Sequence, residues 1–195
     1  MLLPLLPALR NASAGAALSV LALLGQAGDA LADPNVYEVV REPTLMPGDP
    51  IPEPTGPVVL EVTGRIKAGE NGTVRFDMAT LERIGLVRFA TTTAWTEEPV
   101  TFDGVLLSRM LEVVGADPNA ASLVLTALND YHASMPISDA RQWPVILAIK
   151  ENGDYMSMRR HGPIWVVYPQ HAYPELNSRK YVSRWVWQLA RITVE

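Results

Sequence analysis

The chain contains 195 residues and has a formal net charge of -5. This length suits one domain, and the acidic balance argues against nucleic-acid binding because no basic stripe accompanies it. The sequence has no cysteine, which excludes disulfides, thiolate metal sites and cysteine nucleophiles. Its histidines, His132, His161 and His171, do not have the spacing of metal ligands.

The N-terminal residues 1–32 have the pattern of a secretory signal peptide. Arg10 supplies a positive n-region, Ala14–Leu24 is a short apolar core, and Ala30-Leu31-Ala32 is a cleavage motif that leaves Asp33 as the mature start. The alternative is an uncleaved anchor, but the apolar core is much shorter than the roughly 20 residues that a membrane span needs. We therefore predict a periplasmic protein with no membrane insertion after cleavage.

A proline-rich arm follows the signal peptide. Residues 33–57 contain seven prolines, which predicts an extended or loosely packed segment rather than a domain. The folded body is predicted to span residues 58–195.

The body alternates between short strand-like and helix-like runs. Asn71-Gly72 is the dipeptide of a hairpin turn, and Asp77 is placed to cap a short helix. A second helix covers Leu106–Val114, and Ser138 or Asp139 should cap a third. The predicted strands are Val58–Ile66, Val74–Phe76, Val87–Thr93, Leu123–Leu128, Ser134–Ile137, Val145–Ile149, Ile164–Tyr168, Val182–Leu189 and Arg191–Val194. This pattern predicts a mixed α+β domain.

Three basic residues, Arg159, Arg160 and His161, directly precede the predicted buried strand Ile164–Tyr168. A Gly162-Pro163 turn joins the two. A rigid strand would hold these donors in a fixed position, which suits a planar or anionic ligand. Strand alternation should point only one of the two arginines inward. The alternative interpretation is a solvated basic loop.

A series of short motifs gives the chain a resemblance to a known family. In chain order the motifs are Leu60–Gly64, Thr91–Thr96, Phe102–Leu106, Asn129–Tyr131, Gly162–Ile164, Arg184-Trp185 and Ile192–Val194. Over roughly residues 58–195 they resemble the molybdopterin-binding domain of the sulfite oxidase family. The resemblance implies a compact α+β fold with mixed sheets and a few short helices, which holds a pterin cofactor in a cleft between loops.

Two positions depart from the family pattern. The position of the molybdenum-binding cysteine is taken by Thr91, and an arginine of the Gly-Pro-Ile strand is replaced by Trp165. A threonine hydroxyl is too basic to replace a thiolate at a soft metal site. Cysteine-lacking chains of this type resemble periplasmic pterin-binding receptors, some of which report to membrane-bound cyclic-di-GMP signalling enzymes. The resemblance therefore implies a pterin ligand without a redox metal, and as a partner the periplasmic domain of such an inner-membrane enzyme.

A pterin is a flat ring whose amino edge donates hydrogen bonds, for example to a carboxylate, and whose carbonyl accepts a hydrogen bond from a donor. Trp95 could stack on the ring, while Trp165 is centred in an apolar strand and is better explained as core. Trp185 and Trp187 alternate, so at most one should face the ligand. The candidate ligand-binding residues are Thr91, Trp95, Glu97, Asn129, Asp130, Tyr131, Arg159, Arg160, His161 and Arg184. No catalytic or metal-binding residue is assigned.

Three functions are compatible with these features. The favoured hypothesis is an exported, metal-free pterin receptor that signals to a membrane-bound partner. The second is a degenerate oxidoreductase that keeps molybdopterin with a ligand other than cysteine. The third is a structural domain with a vestigial pocket.

Overall fold

Two β-sheets and four short α-helices build the part of the chain that the computed structural model describes, residues 36–195. The predicted signal peptide lies outside these residues. The first sheet has the order β1 (Glu38–Arg41), β4 (Leu86–Thr93), β5 (Thr96–Leu106), β8 (Ile146–Glu151) and β10 (Trp165–Val167), with β9 (Asp154–Tyr155) paired to β8. The second sheet has the order β3 (Thr73–Asp77), β2 (Val58–Gly64), β11 (Leu189–Val194), β6 (Ser122–Ala127) and β7 (His132–Pro136). The helices are α1 (Met78–Glu82), α2 (Leu107–Val113), α3 (Ile137–Gln142) and α4 (Arg179–Val182).

The arrangement confirms the predicted α+β class. Among the strands of residues 36–195, only β2 and β11 pair in parallel, and the other paired strands run antiparallel. Buried side chains of both sheets form one hydrophobic cluster, in which Trp165 and Tyr168 are the largest fully buried side chains. Among residues 36–195, no helix is long and apolar enough to cross a membrane.

Local sequence signals explain the first hairpin and helix. Asn71 and Gly72 have φ values of 53° and 67°, the left-handed conformation that a tight hairpin turn requires. Asp77 caps α1, because its carboxylate accepts the backbone N–H of Thr80 at 2.8 Å. It also accepts the N–H groups of Thr55 and Gly56 at 2.9 Å. These backbone donors, Thr80 first, hold the pKa of Asp77 well below its usual value.

The described part of the proline-rich arm is attached more firmly than predicted. Residues of β1 pair with β4 at the edge of the first sheet. Leu45 is only 1% exposed, and the N–H groups of Thr44 and Leu45 donate to the carbonyl of Arg83. One buried leucine and two backbone hydrogen bonds therefore anchor this part of the arm, and its strand β1 has the extended conformation that was one of the two expectations.

Two predicted local structures are wrong. Val182–Leu189 is not a strand: α4 ends at Val182, and the chain stays irregular until β11 begins at Leu189. The tryptophans there pack on other aromatic rings and do not join the sheet ladder. Neither Ser138 nor Asp139 caps α3, whose N-cap is Pro136. Asp139 lies inside the helix and is bonded elsewhere in the fold.

Candidate functional site

A groove lies where three chain segments meet: the β4–β5 turn, the β6–β7 turn, and the irregular segment after α4. Its cavity has a volume of about 340 Å³. We call it the tryptophan groove, and it is lined by Trp95, Asn129, Tyr131, Val182, Ser183, Trp185, Val186 and Trp187. None of these described lining residues is charged.

The aromatic wall of the groove is built around Trp95. This side chain is 48% exposed, and its ring centroid lies 5.2 Å from that of Trp187 and 6.4 Å from that of Trp185. Trp165 lies 5.8 Å from Trp95 but is buried, with its ring edge against Phe102, so the core interpretation of Trp165 is confirmed. The wall therefore offers broad π-surfaces that suit a flat ligand.

The polar part of the groove is held by its own hydrogen bonds. The side-chain oxygen of Asn129 accepts the N–H of Tyr131 at 3.1 Å. The Tyr131 hydroxyl donates to the carbonyl of Ser183 at 3.1 Å, which ties the β6–β7 turn to the segment after α4. The hydrogen bond from Tyr131 within the β6–β7 turn therefore fixes the orientation of the Asn129 amide.

His161 lies behind the groove, in contact with its aromatic wall. Its ring stacks on Trp165 with 4.1 Å between centroids and lies 5.4 Å from Trp187. Its Nδ1 atom is buried without a hydrogen-bond partner among the described residues. Burial lowers the pKa of His161, and the nearby Arg160 adds to this, while Glu151 acts in the opposite direction.

The lowered pKa of His161 makes stability depend on pH. The unfolded histidine takes up a proton as pH falls below about 6.5, whereas the folded one resists until its lower pKa is reached. The contribution of His161 to the free energy of unfolding is therefore fully present above pH 6.5, and it is lost as the pH falls from there toward the pKa of the folded histidine. We expect urea unfolding of a His161→Phe variant to lose less stability between pH 7.5 and 5.5 than the wild type. Equal losses would show that His161 does not contribute to the pH dependence.

Arg184 is buried behind the groove and does not line it. Its guanidinium pairs with Asp139 and lies 5.3 Å from the ring centroid of Tyr181. The hydroxyl of Tyr168 donates to the same Asp139 carboxylate at 2.8 Å. Burial, together with the Asp139 charge, raises the pKa of Tyr168 well above its usual value. Arg184, which was predicted to bind the ligand, therefore forms a buried ion pair with Asp139 and does not line the groove.

The two other predicted arginines also lie outside the groove. Arg159 and Arg160 are exposed in a turn, so the expectation that strand alternation points one of them inward is wrong. Arg160 lies 3.5 Å from the carboxylate of Glu151. Glycine is required in this turn, because a Cβ on Gly162 would lie 2.0 Å from the carbonyl oxygen of Met156.

The two predicted carboxylates are likewise not among the residues that line the groove. Glu97 is exposed on β5. Asp130 is exposed at the tip of the β6–β7 turn, with a φ of 63°. Aspartate tolerates this conformation better than most residues, which accounts for its place between Asn129 and Tyr131.

Thr91 is buried on β4, and its hydroxyl is already engaged. The oxygen accepts the N–H of His171 at 3.0 Å, and the hydroxyl is 3.1 Å from the carbonyl of Thr92, to which it donates. Within residues 36–195 no group of three or more His, Cys, Asp or Glu side chains could hold a metal ion. The hydroxyl of Thr91 does not fit molybdenum, because a soft metal site favours a thiolate over a threonine oxygen.

Five groove-lining residues were not among the candidates named from the sequence: Val182, Ser183, Trp185, Val186 and Trp187. Both Trp185 and Trp187 line the groove, although strand alternation was expected to point at most one of them toward a ligand. That expectation rested on strand alternation, and the segment is not a strand. The Trp-x-Trp spacing at positions 185 and 187 was the sequence signal for these residues. Whether it places both rings on one side depends on the backbone conformation of the segment, which the sequence pattern did not reveal.

Comparison with known proteins agrees with this fold. Residues 61–191 match the family model described as the oxidoreductase molybdopterin binding domain, which is more than half of the chain. The protein therefore belongs to this family, and the predicted sulfite oxidase-type fold is confirmed. No curated protein matches the chain in sequence.

The fold is similar to that of a solved enzyme, the sulfane dehydrogenase SoxCD from Paracoccus pantotrophus. The TM-score is 0.52 at 18% sequence identity, with 69% of this chain and 37% of that chain covered. At this identity the similarity shows the fold alone. The chain spans well under half the length of that enzyme chain.

Proposed function

We propose that this protein is exported to the periplasm and binds a pterin in the tryptophan groove without molybdenum. The observation that carries the proposal is the convergence of Trp95, Trp185 and Trp187 on one cavity of about 340 Å³. Aromatic pairs contribute about 0.5–1.5 kcal/mol each beyond the area that they bury. A flat heteroaromatic ring is the ligand class that gains most from such walls.

The polar edge of a pterin matches the amide of Asn129. A primary amide offers both an acceptor oxygen and two N–H donors, as the pyrimidine edge of a pterin requires. The Asn129 oxygen uses one lone pair for Tyr131 and retains the other. Because no charged side chain lines the described groove, orientation is expected to depend on this amide and on stacking.

The second candidate is an oxidoreductase that uses molybdopterin, and family membership supports it. Two facts favour the metal-free reading. The chain has no cysteine, and the hydroxyl at the corresponding position, Thr91, is bonded within the fold. The aromatic walls of the groove suit the flat pterin half of the cofactor, whereas Thr91 supplies no thiolate for its metal.

We also propose that the protein signals occupancy to the periplasmic domain of an inner-membrane cyclic-di-GMP enzyme. The resemblance to cysteine-lacking receptors supports this partner. Exposed apolar side chains at and beside the groove support a signal that passes through a change in the protein surface. Trp95 and Tyr131 line the groove, and Leu128 precedes Asn129 in the same turn. A bound ring would cover part of this surface and so change what a partner contacts.

The proposal predicts that Trp187→Ala weakens the binding of a reduced pterin at least about tenfold. The variant removes a ring that lies 5.2 Å from Trp95, and with it both stacking and buried area worth roughly 2 kcal/mol. Anaerobic calorimetric titration with tetrahydrobiopterin measures the change, and a thermal melt verifies that the variant folds.

Arg159→Ala provides a matched control for this titration. Arg159 is exposed and lies outside the groove, so its removal should leave pterin affinity and stability unchanged. A folded Trp187→Ala protein that binds like the wild type would place the pterin elsewhere. Wild-type protein without saturable binding would favour the vestigial-pocket hypothesis.

A further inference from the structure

A second cavity lies between the arm and the first turn of α2. Its volume is about 160 Å³, and its lining includes Arg41 and Glu42 from the arm and Arg109 from α2. Most of the remaining wall is apolar, with Val39, Ile84 and Leu106 among its members. We call it the arm pocket.

The arm pocket is separate from the tryptophan groove. Leu86 and Val87 at the start of β4 line the arm pocket, whereas Trp95 follows the end of that strand. A strand rises about 3.3 Å per residue, so the eight residues of β4 separate the two cavities by roughly 20 Å. A ligand in one cannot reach the other.

Arg109 is the unusual residue of the arm pocket. Its Nη1 atom is buried and has no hydrogen-bond partner, and no acidic side chain among residues 36–195 pairs with it. Arg41 differs, because its guanidinium pairs with Glu82, which Tyr155 also contacts. Arg109 therefore brings a guanidinium without an acidic partner to the wall of the arm pocket.

We propose that the arm pocket binds a small organic carboxylate through Arg109. The planar guanidinium matches a carboxylate with two parallel hydrogen bonds. The apolar walls favour a short hydrocarbon tail over a fully hydrated inorganic oxyanion. At about 30 Å³ per water, the cavity has room for roughly five waters, which corresponds to an acid of four or five carbons.

The docked arm keeps this pocket formed. Arg41 holds the arm through Glu82, and the backbone bonds of Thr44 and Leu45 to Arg83 fix the segment beyond it. The walls therefore exist before a ligand enters, which reduces the ordering cost of binding. Binding here requires neither a pterin nor the tryptophan groove.

The test is an NMR titration of the full protein with butyrate, n-butanol and inorganic phosphate. We expect saturable butyrate binding with a Kd on the order of 1 mM and shifts centred on Leu86 and Leu106. Butanol should bind at least tenfold more weakly because it lacks the charge. Absence of saturable butyrate binding would mean that water fills the pocket, and tighter binding of phosphate would overturn the carboxylate assignment.

Variants of Arg109 complete the test. Arg109→Met should weaken butyrate binding at least tenfold, and Arg109→Lys, which keeps the charge, should weaken it less. Arg141→Met is the matched control, since Arg141 is an exposed arginine on α3 outside the pocket and should bind like the wild type. Wild-type affinity in both folded Arg109 variants would refute the proposal.

Discussion

Replacement of Arg184 by methionine is expected to lower the free energy of unfolding by about 3–5 kcal/mol. The reason is that Asp139 is only 5% exposed, and the variant would leave its buried charge without a cation. Tyr168 would remain as a donor to the carboxylate, but a neutral hydroxyl does not replace the guanidinium. Urea denaturation followed by tryptophan fluorescence measures the loss.

Two further variants separate the buried ion pair from a general effect of losing an arginine. The double variant Asp139→Leu/Arg184→Met removes both charges and should be more stable than Arg184→Met alone. Arg191→Met breaks an exposed pair with Glu61 and should cost no more than about 1 kcal/mol. An Arg184→Met protein within 1 kcal/mol of the wild type would show that Asp139 finds other partners.

The Asp139–Arg184 pair is a long-range contact that could not be predicted from local sequence patterns. The two residues are 45 positions apart, and each had a different interpretation, Asp139 as a helix cap and Arg184 as a ligand-binding residue. Both interpretations rested on local sequence. The contact that decides their roles forms only when α3 packs near the segment after α4.

Elements governed by local signals were predictable from the sequence. The β-branched run of β10 predicted a buried strand, and all of Trp165–Val167 is buried. The Asn71-Gly72 turn and the Asp77 cap depend on neighbours within a few residues, and the structure confirms both. Such features need no knowledge of the tertiary fold.

The site was only partly predictable. Trp95, Asn129 and Tyr131 were identified through turn positions and family motifs, and the structure brings all three into one groove. Trp187 and Ser183 were not, because their segment alternates like a strand but folds irregularly. Its backbone is fixed by distant contacts such as the Tyr131 hydroxyl on the Ser183 carbonyl, which the local pattern does not encode.

The prediction for the basic turn of Arg159, Arg160 and His161 also failed because the side-chain directions depend on the tertiary fold and not on the local sequence. Arg159, Arg160 and His161 are adjacent in sequence and were expected to present donors to a planar or anionic ligand, with only one of the two arginines pointing inward. The turn instead sends the arginines to solvent and stacks His161 on Trp165. His161 therefore lies behind the groove and packs on its aromatic wall through Trp165 and Trp187.

The most direct test of the metal-free pterin hypothesis is to measure molybdenum and pterin in protein purified from its native host. Elemental analysis gives the metal, and mass spectrometry of the denatured extract identifies the ligand. Because Thr91 supplies no thiolate and its hydroxyl is bonded to the fold, we expect a pterin in stoichiometric amount and molybdenum at background. Molybdenum at one atom per chain, released together with molybdopterin, would contradict the hypothesis and establish the oxidoreductase alternative.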